Sequence, residues 1–272
     1  MRVITTIAAL REAVAPFRQQ TIGLVPTMGY LHEGHLALVA KAKEESALVV
    51  MSIFVNPTQF GPNEDFESYP RDLTRDSKLA EEAGVDIIFA PSVEEMYPAK
   101  GSVVLQAGAM ARELCGASRP THFDGVVQVV AKLFNIVQPT HAYFGQKDAQ
   151  QLAIIETMVR DFNFPITIRP VPIVREADGL AKSSRNVYLT KEQRAKAPAI
   201  FQALSRLQQG EQTLEETKVA IERATGGKID YLTKLAYPDL TEPTASTKRF
   251  VLAVAVFIGK TRLIDNIIWE VA

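Results

Sequence analysis

Apolar residues along the first two thirds of the chain fall into two alternating patterns. Short unbroken runs, TIGLVP (21–26), ALVVMSIFV (47–55), VDIIFA (85–90), HAYFG (141–145) and ITIRPVPIV (166–174), have the length of strands buried on both faces, the kind that parallel sheets use. Between them apolar residues recur at helical spacing in HLALVAKAKEES (35–46), DLTRDSKLAEEAG (72–84, closing on Gly84), GVVQVVAKLFNIVQP (125–139, stopped by Pro139) and DAQQLAIIETMVRDF (148–162). Such alternation predicts repeated βαβ units. The fold class is therefore α/β, a Rossmann-like parallel sheet with helices on both faces.

The pattern changes after about Val174. Two polar helices are expected near Lys191 to Gln209 and Thr213 to Ala224, followed by strands in KIDYLTKLAYPDL (228–240), RFVLAVAVFIG (249–259) and RLIDNIIWEV (262–271). The expected organisation is a Rossmann-like domain over residues 1–173 and a smaller C-terminal α+β domain over 174–272. The loop READGLAKSSRN (175–186) follows the boundary, a common place for ligands.

Composition narrows the function. With 272 residues, 47% of them hydrophobic, the chain can bury a sizeable core. Thirty Lys and Arg against 31 Asp and Glu leave no global basic field, so nucleic acid is not an expected partner and any anion must be met by local groups. A single cysteine, Cys115, offers no disulfide framework and fits a reducing compartment. The apolar N-terminus is interrupted by Arg11 and Glu12, unlike a signal peptide, and no run reaches transmembrane length. A soluble, cytoplasmic protein with no membrane partner is expected.

Four polar constellations sit at predicted strand ends or in the loop between domains. In VPTMGYLHEGHLALV (25–39) a strand gives way to a helix whose N-terminus points at the carboxyl edge of the sheet. Free N–H groups there attract phosphate, Gly29 and Gly34 would let a nucleotide approach the backbone, and His32 and His35 can both donate to phosphate oxygens. The plainer reading is that these histidines cap the helix or sit in the core. A zinc site is disfavoured, because the motif is not H-E-x-x-H and only His122 and His141 remain as nitrogen ligands. In FGQKDAQQL (144–152), Lys147 and Asp148 follow a strand-end glycine, which describes a phosphate or Mg-nucleotide site, with one of Gln150 and Gln151 facing the ligand and the other solvent. KSSRN (182–186) reads as a polyphosphate clamp or a polar turn. Asn56 and Gln59 of FVNPTQF suit the hydroxyls and carboxylates of a small substrate, though turn chemistry alone also explains Asn-Pro.

Together PTMGYLHEGH, FVNPTQFGPNEDFESYPR, RPTHFDGVVQVVAKLFNIVQP, FGQKDAQQL, GLAKSSRNVYL and GKTRLIDN resemble the pantothenate synthetase (pantoate β-alanine ligase) family, in order, from about Val25 to Asn266. The H-x-G-H element is similar to the histidine signature of nucleotidyltransferases. The resemblance implies a two-step ligation in which pantoate attacks the α-phosphorus of Mg-ATP, releasing pyrophosphate, and β-alanine then attacks pantoyl adenylate, releasing AMP. It assigns Met28, Gly29, Tyr30, Leu31, His32, Glu33, Gly34 and His35 to the ATP site, with His35 as proton donor and His32 beside it on the phosphates. Gly145, Gln146, Lys147 and Asp148 continue that site, with Lys147 on the phosphates. Val174 meets the adenine through its backbone, and Lys182, Ser183, Ser184 and Arg185 clamp the outer phosphates. Gln59 and Gln151 hold pantoate, Gln59 lying also near β-alanine. A homodimer is implied, and Mg2+ accompanies ATP. Lys182 departs from the family pattern, which often has an apolar residue there. A different nucleotidyltransferase, a non-catalytic ATP sensor and an aminoacyl-tRNA synthetase fragment are the alternatives; the first two would not need all of these motifs, and the last would need a basic tRNA surface.

Overall fold

The computed structural model describes residues 1–62, 64, 66–99 and 101–271; Asn63 and Asp65 of the FVNPTQFGPNEDF motif lie outside them. In chain order the first part comprises β1 (Arg2–Ile4), α1 (Ile7–Val14), β2 (Ile22–Thr27), α2 (Glu33–Glu45), β3 (Leu48–Ile53), α3 (Leu73–Glu82), β4 (Ile87–Phe89), α4 (Val93–Met96), α5 (Cys115–Ser118), α6 (His122–Val137), β5 (His141–Gly145), α7 (Ala149–Asp161) and β6 (Thr167–Val171). The six strands are all parallel, in the order β1-β4-β3-β2-β5-β6. The central strands are buried on both faces, which is why they read as unbroken apolar runs. Leu24, Val50 and Phe89 face Leu10 of α1, Val126 and Leu133 of α6 and Leu152 of α7. Val25, Met51 and Ile88 face the opposite way, onto Leu38 and Val39 of α2 and Ala80 of α3. Each such side chain contributes about 1.5–3 kcal/mol when fully buried.

The remainder comprises α8 (Lys191–Lys196), α9 (Ala199–Gln208), α10 (Leu214–Thr225) and an antiparallel sheet of β7 (Lys228–Ala236), β8 (Arg249–Ile258) and β9 (Thr261–Glu270), in the order β7-β8-β9. The unbroken apolar run of β8 has a cause of its own. Leu252, Val254 and Val256 pack on Ile200 and Leu204 of α9 and Ile221 of α10, while Val251 and Ala253 pack on Ala149 and Ala153 of α7. The small sheet is therefore sandwiched between its own helices and the start of α7.

The structure departs from the sequence expectation at several points. The helix expected over Lys191 to Gln209 is broken into α8 and α9 at Pro198, which has no N–H for the helical ladder. Helix α6 begins at His122, three residues before the apolar run at Gly125. Strand β1 and helix α1 were not anticipated, being too short to show a period; α1 is fixed instead by its Thr6 cap, whose hydroxyl accepts from the Ala9 N–H at 3.3 Å. Among the described residues no helix is long and apolar enough to cross a membrane.

Candidate active site

The path of the chain decides where the site lies. From β2 the sheet grows through β3 and β4 to one side and, after a crossover, through β5 and β6 to the other. Open α/β sheets bind ligands in the crevice that this reversal leaves outside the strands' carboxyl ends. Four neighbouring strand ends meet there: β3 leads to Gln59, β2 to Met28–His35, β5 to Gly145–Asp148 and β6 to Val174. A cavity of about 240 Å3 in the crevice is lined by Met28, His32, Gly34, His35, Gln59, Gly145, Lys147, Asp148, Gln151 and Val174, together with Lys182, Ser183, Ser184 and Arg185 from the loop beyond β6. Residues far apart in the chain are thus brought to one place.

Gly29, Tyr30, Leu31, Glu33 and Gln146 do not line it. Leu31 is fully buried in the core beneath α2. Tyr30 sits under the Arg75 guanidinium, 5.0 Å from its ring centroid. Glu33 is exposed and pairs with Lys182, and the Gln146 carbonyl accepts from Asn266 Nδ2 at 2.9 Å.

The backbone amides of the turn after β2 are engaged internally, which corrects the expectation of free N–H groups at the start of α2. Gly29 N–H donates to Thr27 Oγ1, and Tyr30 and Leu31 N–H donate to the two oxygens of buried Asp76, at 2.6 and 2.8 Å. His32 and His35 do cap the helix. Gly34 N–H donates to His32 Nδ1 at 3.1 Å, and His32 N–H donates to His35 Nδ1 at 3.3 Å, a reciprocal capping box made of imidazoles. The capping and ligand readings are therefore one arrangement. With Nδ1 accepting, each neutral ring carries its hydrogen on Nε2, and both line the cavity. Burial, then the Lys147 charge, lowers His32 to about 4. Burial, then His32 and Lys147, lowers His35 to about 3. Both rings are neutral donors at neutral pH.

The glycines also have a structural reason in this arrangement. Gly29 has φ +83, and a Cβ there would lie 2.9 Å from Asp76 Oδ2. A Cβ at Gly34 would lie 2.8 Å from His32 Cε1, so glycine lets the ring fold back over the helix start.

Three further expectations are refined. Gln151 lines the cavity, but its neighbour Gln150 does not face solvent: it is buried and donates to the Met110 and Glu113 carbonyls at 2.8 and 2.6 Å. Asn56 is a framework group, accepting from Tyr97 Oη and donating from Nδ2 to the Gly125 carbonyl and Gln59 Oε1, at 3.1 and 3.0 Å. That last bond turns the Gln59 amide so that its NH2 is the end left for a ligand. Lys182 lines the cavity with its charge held between Glu33 and Glu176, at 3.1 and 3.0 Å, so it ties the helix start to the loop.

Three residues without an assigned role also belong to this architecture. Arg119 pairs with Glu64 and donates to the Gln59 carbonyl at 3.3 Å. His122 Nδ1 donates to the same carbonyl at 3.0 Å. Asn266 of β9 donates to the carbonyls of Gln146 and Lys147, both at 2.9 Å, so the second sheet holds the turn that carries Lys147. Each lies in a quoted motif, RPTHFDG or GKTRLIDN, where a polar residue beside an apolar run was the available signal. A second cavity, of about 810 Å3, runs between the two sheets and shares Arg119, His122, Lys147, Asp148, Gln151, Ser183 and Arg185 with the first.

Fold and site define a class first: a doubly wound α/β protein whose sheet edge gathers imidazole, ammonium and amide groups around a cavity sized for small polar molecules. The comparisons then fix the family. A family model described as pantoate-beta-alanine ligase matches residues 2–268. Pantothenate synthetase of Lysinibacillus sphaericus is 64% identical over 280 residues, covering 100% of this chain and 99% of that protein. The Bacillus subtilis pantothenate synthetase is 51% identical, covering 100% and 98%. Among solved structures, Thermus thermophilus pantothenate synthetase aligns with a TM-score of 0.90 at 48% identity, over 98% of this chain and 99% of that one. A Francisella tularensis pantoate-beta-alanine ligase, complexed with beta-gamma ATP and beta-alanine, aligns at 0.85 and 39% identity, over 98% and 97%. The chain belongs to the pantoate-beta-alanine ligase family and is an enzyme of that kind.

Proposed function

We propose that the chain joins (R)-pantoate to β-alanine in two steps through pantoyl adenylate, consuming ATP and releasing pyrophosphate and AMP. The observation that carries this reading is the mixed lining of one small cavity. Lys147 and the Nε2–H groups of His32 and His35, donors suited to phosphate, line it together with the Gln59 and Gln151 amides, suited to a hydroxy acid. Such a lining suits a carboxylate brought beside a phosphate chain, which supports the reading.

In this reading pantoate rests on Gln59 and Gln151 and attacks the α-phosphorus. Negative charge grows on the equatorial oxygens and on the departing pyrophosphate, where Lys147, His32 and His35 meet it with preorganised donors. His35 acts by hydrogen bonding from a neutral ring, which fits its lowered pKa of about 3 better than transfer of a proton from imidazolium. Val174 takes the adenine edge, and Ser183, Ser184 and Arg185 take the outer phosphates. Mg2+ arrives as part of the substrate, on the phosphates of ATP. Work in the cytoplasm as a homodimer belongs to the same proposal.

The test is isotope exchange. Pantoate alone is expected to drive labelled pyrophosphate into ATP, and β-alanine alone is not. Exchange that needs β-alanine and not pantoate would overturn the order.

A further inference from the structure

Three histidines line the crevice, and the fold sets which nitrogen of each carries the hydrogen. His32 and His35 spend Nδ1 as an acceptor and present Nε2–H. His122 is the reverse. Its Nδ1 lies 3.0 Å from the carbonyl oxygen of Gln59, which can only accept, so Nδ1 carries the hydrogen and the lone pair of the neutral ring is on Nε2. That nitrogen has no hydrogen-bond partner among the described residues and is not one of the sealed, unsatisfied polar atoms. His122 lines both cavities, where the small one opens into the cleft between the sheets. The site thus holds two imidazole donors and one imidazole acceptor.

We propose that His122 is the proton acceptor for the amine of β-alanine, with its ring held in that role by the Gln59 carbonyl. This rests on the two-step reading above, which puts the activated acyl group beside Gln59, the residue that bonds His122. The ammonium of β-alanine first gives one proton to water. The amine lone pair then forms the C–N bond at the acyl carbon, the second proton passes from nitrogen to Nε2, and the C–O bond to the adenylyl phosphate breaks with its electron pair leaving on AMP. His122 returns its proton to water in the cleft.

The charged groups facing the ring are Arg119 just before α6, Glu64 in the loop after β3 and Asp148 at the start of α7. Burial and then Arg119 lower His122 to about 4, while the Gln59 carbonyl, Glu64 and Asp148 act the other way, so Nε2 is free at neutral pH. A base this weak does not strip a free ammonium. It receives the proton once C–N bond formation has made the nitrogen acidic.

His122→Asn keeps a donor for the Gln59 carbonyl and removes Nε2; His122→Gln places an amide near the Nε2 position, which fills that space without a basic nitrogen. Two half-reactions of the full chain are to be followed, pantoate-dependent pyrophosphate exchange into ATP and single-turnover reaction of pre-formed pantoyl adenylate with β-alanine, alongside thermal melting. In His122→Asn exchange is expected within about threefold of wild type, with aminolysis down on the order of a hundredfold or more. Hydroxylamine, whose nitrogen in the adduct is more acidic than that of β-alanine and so gives its second proton to water more readily, is expected to recover part of the loss as pantoyl hydroxamate, and His122→Gln, which also lacks a basic nitrogen, to lose aminolysis as His122→Asn does. Equal losses in both half-reactions, unchanged aminolysis, or aminolysis lost in Asp148→Asn but not in His122→Asn would each overturn the assignment. Wild-type protein that shows no pantoate-dependent exchange would overturn the two-step reading and this inference with it.

Discussion

A histidine's chemistry here depends on what its other nitrogen touches. His32 and His35 have their Nδ1 atoms committed to backbone amides, and Lys147 adds a positive charge that helps keep both rings neutral. Lys147→Ala is expected to fold and to lose on the order of a hundredfold or more in adenylate formation, because a fixed ammonium stabilises developing charge more than ground-state ATP. Lys147→Arg should recover little, since a planar fork does not fit the place of a compact point charge. The same Lys147→Ala change removes a cation from two bases, so the titrations of His32 and His35, read by NMR, should move upward toward the ordinary histidine value near 6.5. Near-normal adenylate formation in a folded Lys147→Ala protein would take Lys147 out of the site. Lys182 is a different kind of lysine: clasped by Glu33 and Glu176, it joins loop to helix, and its proposed contact with phosphate requires exchanging those carboxylate partners.

Elements position these groups through close packing at a few small residues. Helix α6 lies against the 3-10 turn Pro57–Gln59, and the contact is made at Gly125, where a Cβ would stand 2.2 Å from the Thr58 carbonyl oxygen and 2.7 Å from the Gln59 N. Asn56 Nδ2 bridges the same seam to the Gly125 carbonyl. Gly125→Ala must therefore push helix and turn apart. It is expected to destabilise the protein by about 1–3 kcal/mol, as overpacking does, and to raise the KM for pantoate more than that for ATP, since Gln59 moves and the histidine turn does not. Urea unfolding and steady-state kinetics check both; an alanine variant with wild-type stability and KM would show that the seam is soft. Sequence pattern made α6 plain from its apolar period, but it began the helix at Gly125, because Arg119 and His122 carry no period of their own.

On the scale of the whole molecule, the second sheet completes the first. Val251 and Ala253 of β8 rest on α7, Asn266 of β9 grips the Gln146–Lys147 turn, and Arg175 at the connection pairs with buried Asp265 at 2.7 and 2.9 Å. Folding also neutralises three histidines at once, with His32 and His122 at about 4 and His35 at about 3. The unfolded chain holds them near 6.5. Between those values the unfolded state binds more protons, so stability falls as pH is lowered from about 6.5 toward 4. The urea midpoint should drop from pH 7 to pH 5, and His35→Asn should drop less, having one fewer neutral ring to protonate. A midpoint that declines equally in both proteins would mean that His35 is not held neutral by the fold.

The sequence by itself determined strands β2 to β6 of the parallel sheet and helices α2, α3, α6 and α7, because a strand buried on both faces must be apolar throughout and an amphipathic helix must repeat its stripe. It also marked the motifs, since glycines, histidines and lysines at strand ends have few other uses. Only the tertiary structure decided which of those polar groups face the crevice. Gln150 and Gln151 are adjacent and chemically identical, yet one clamps the Met110–Glu113 backbone and the other lines the cavity. Gly29 makes room for Asp76, a contact that spans 47 positions of chain and has no local signature. His122 presents a different nitrogen from His32 and His35 because the carbonyl of Gln59, brought in from the turn after β3, reaches its ring, whereas local amides reach theirs. Burial and periodicity are properties of one segment and can be read from it; a hydrogen-bond partner brought in by another strand is not.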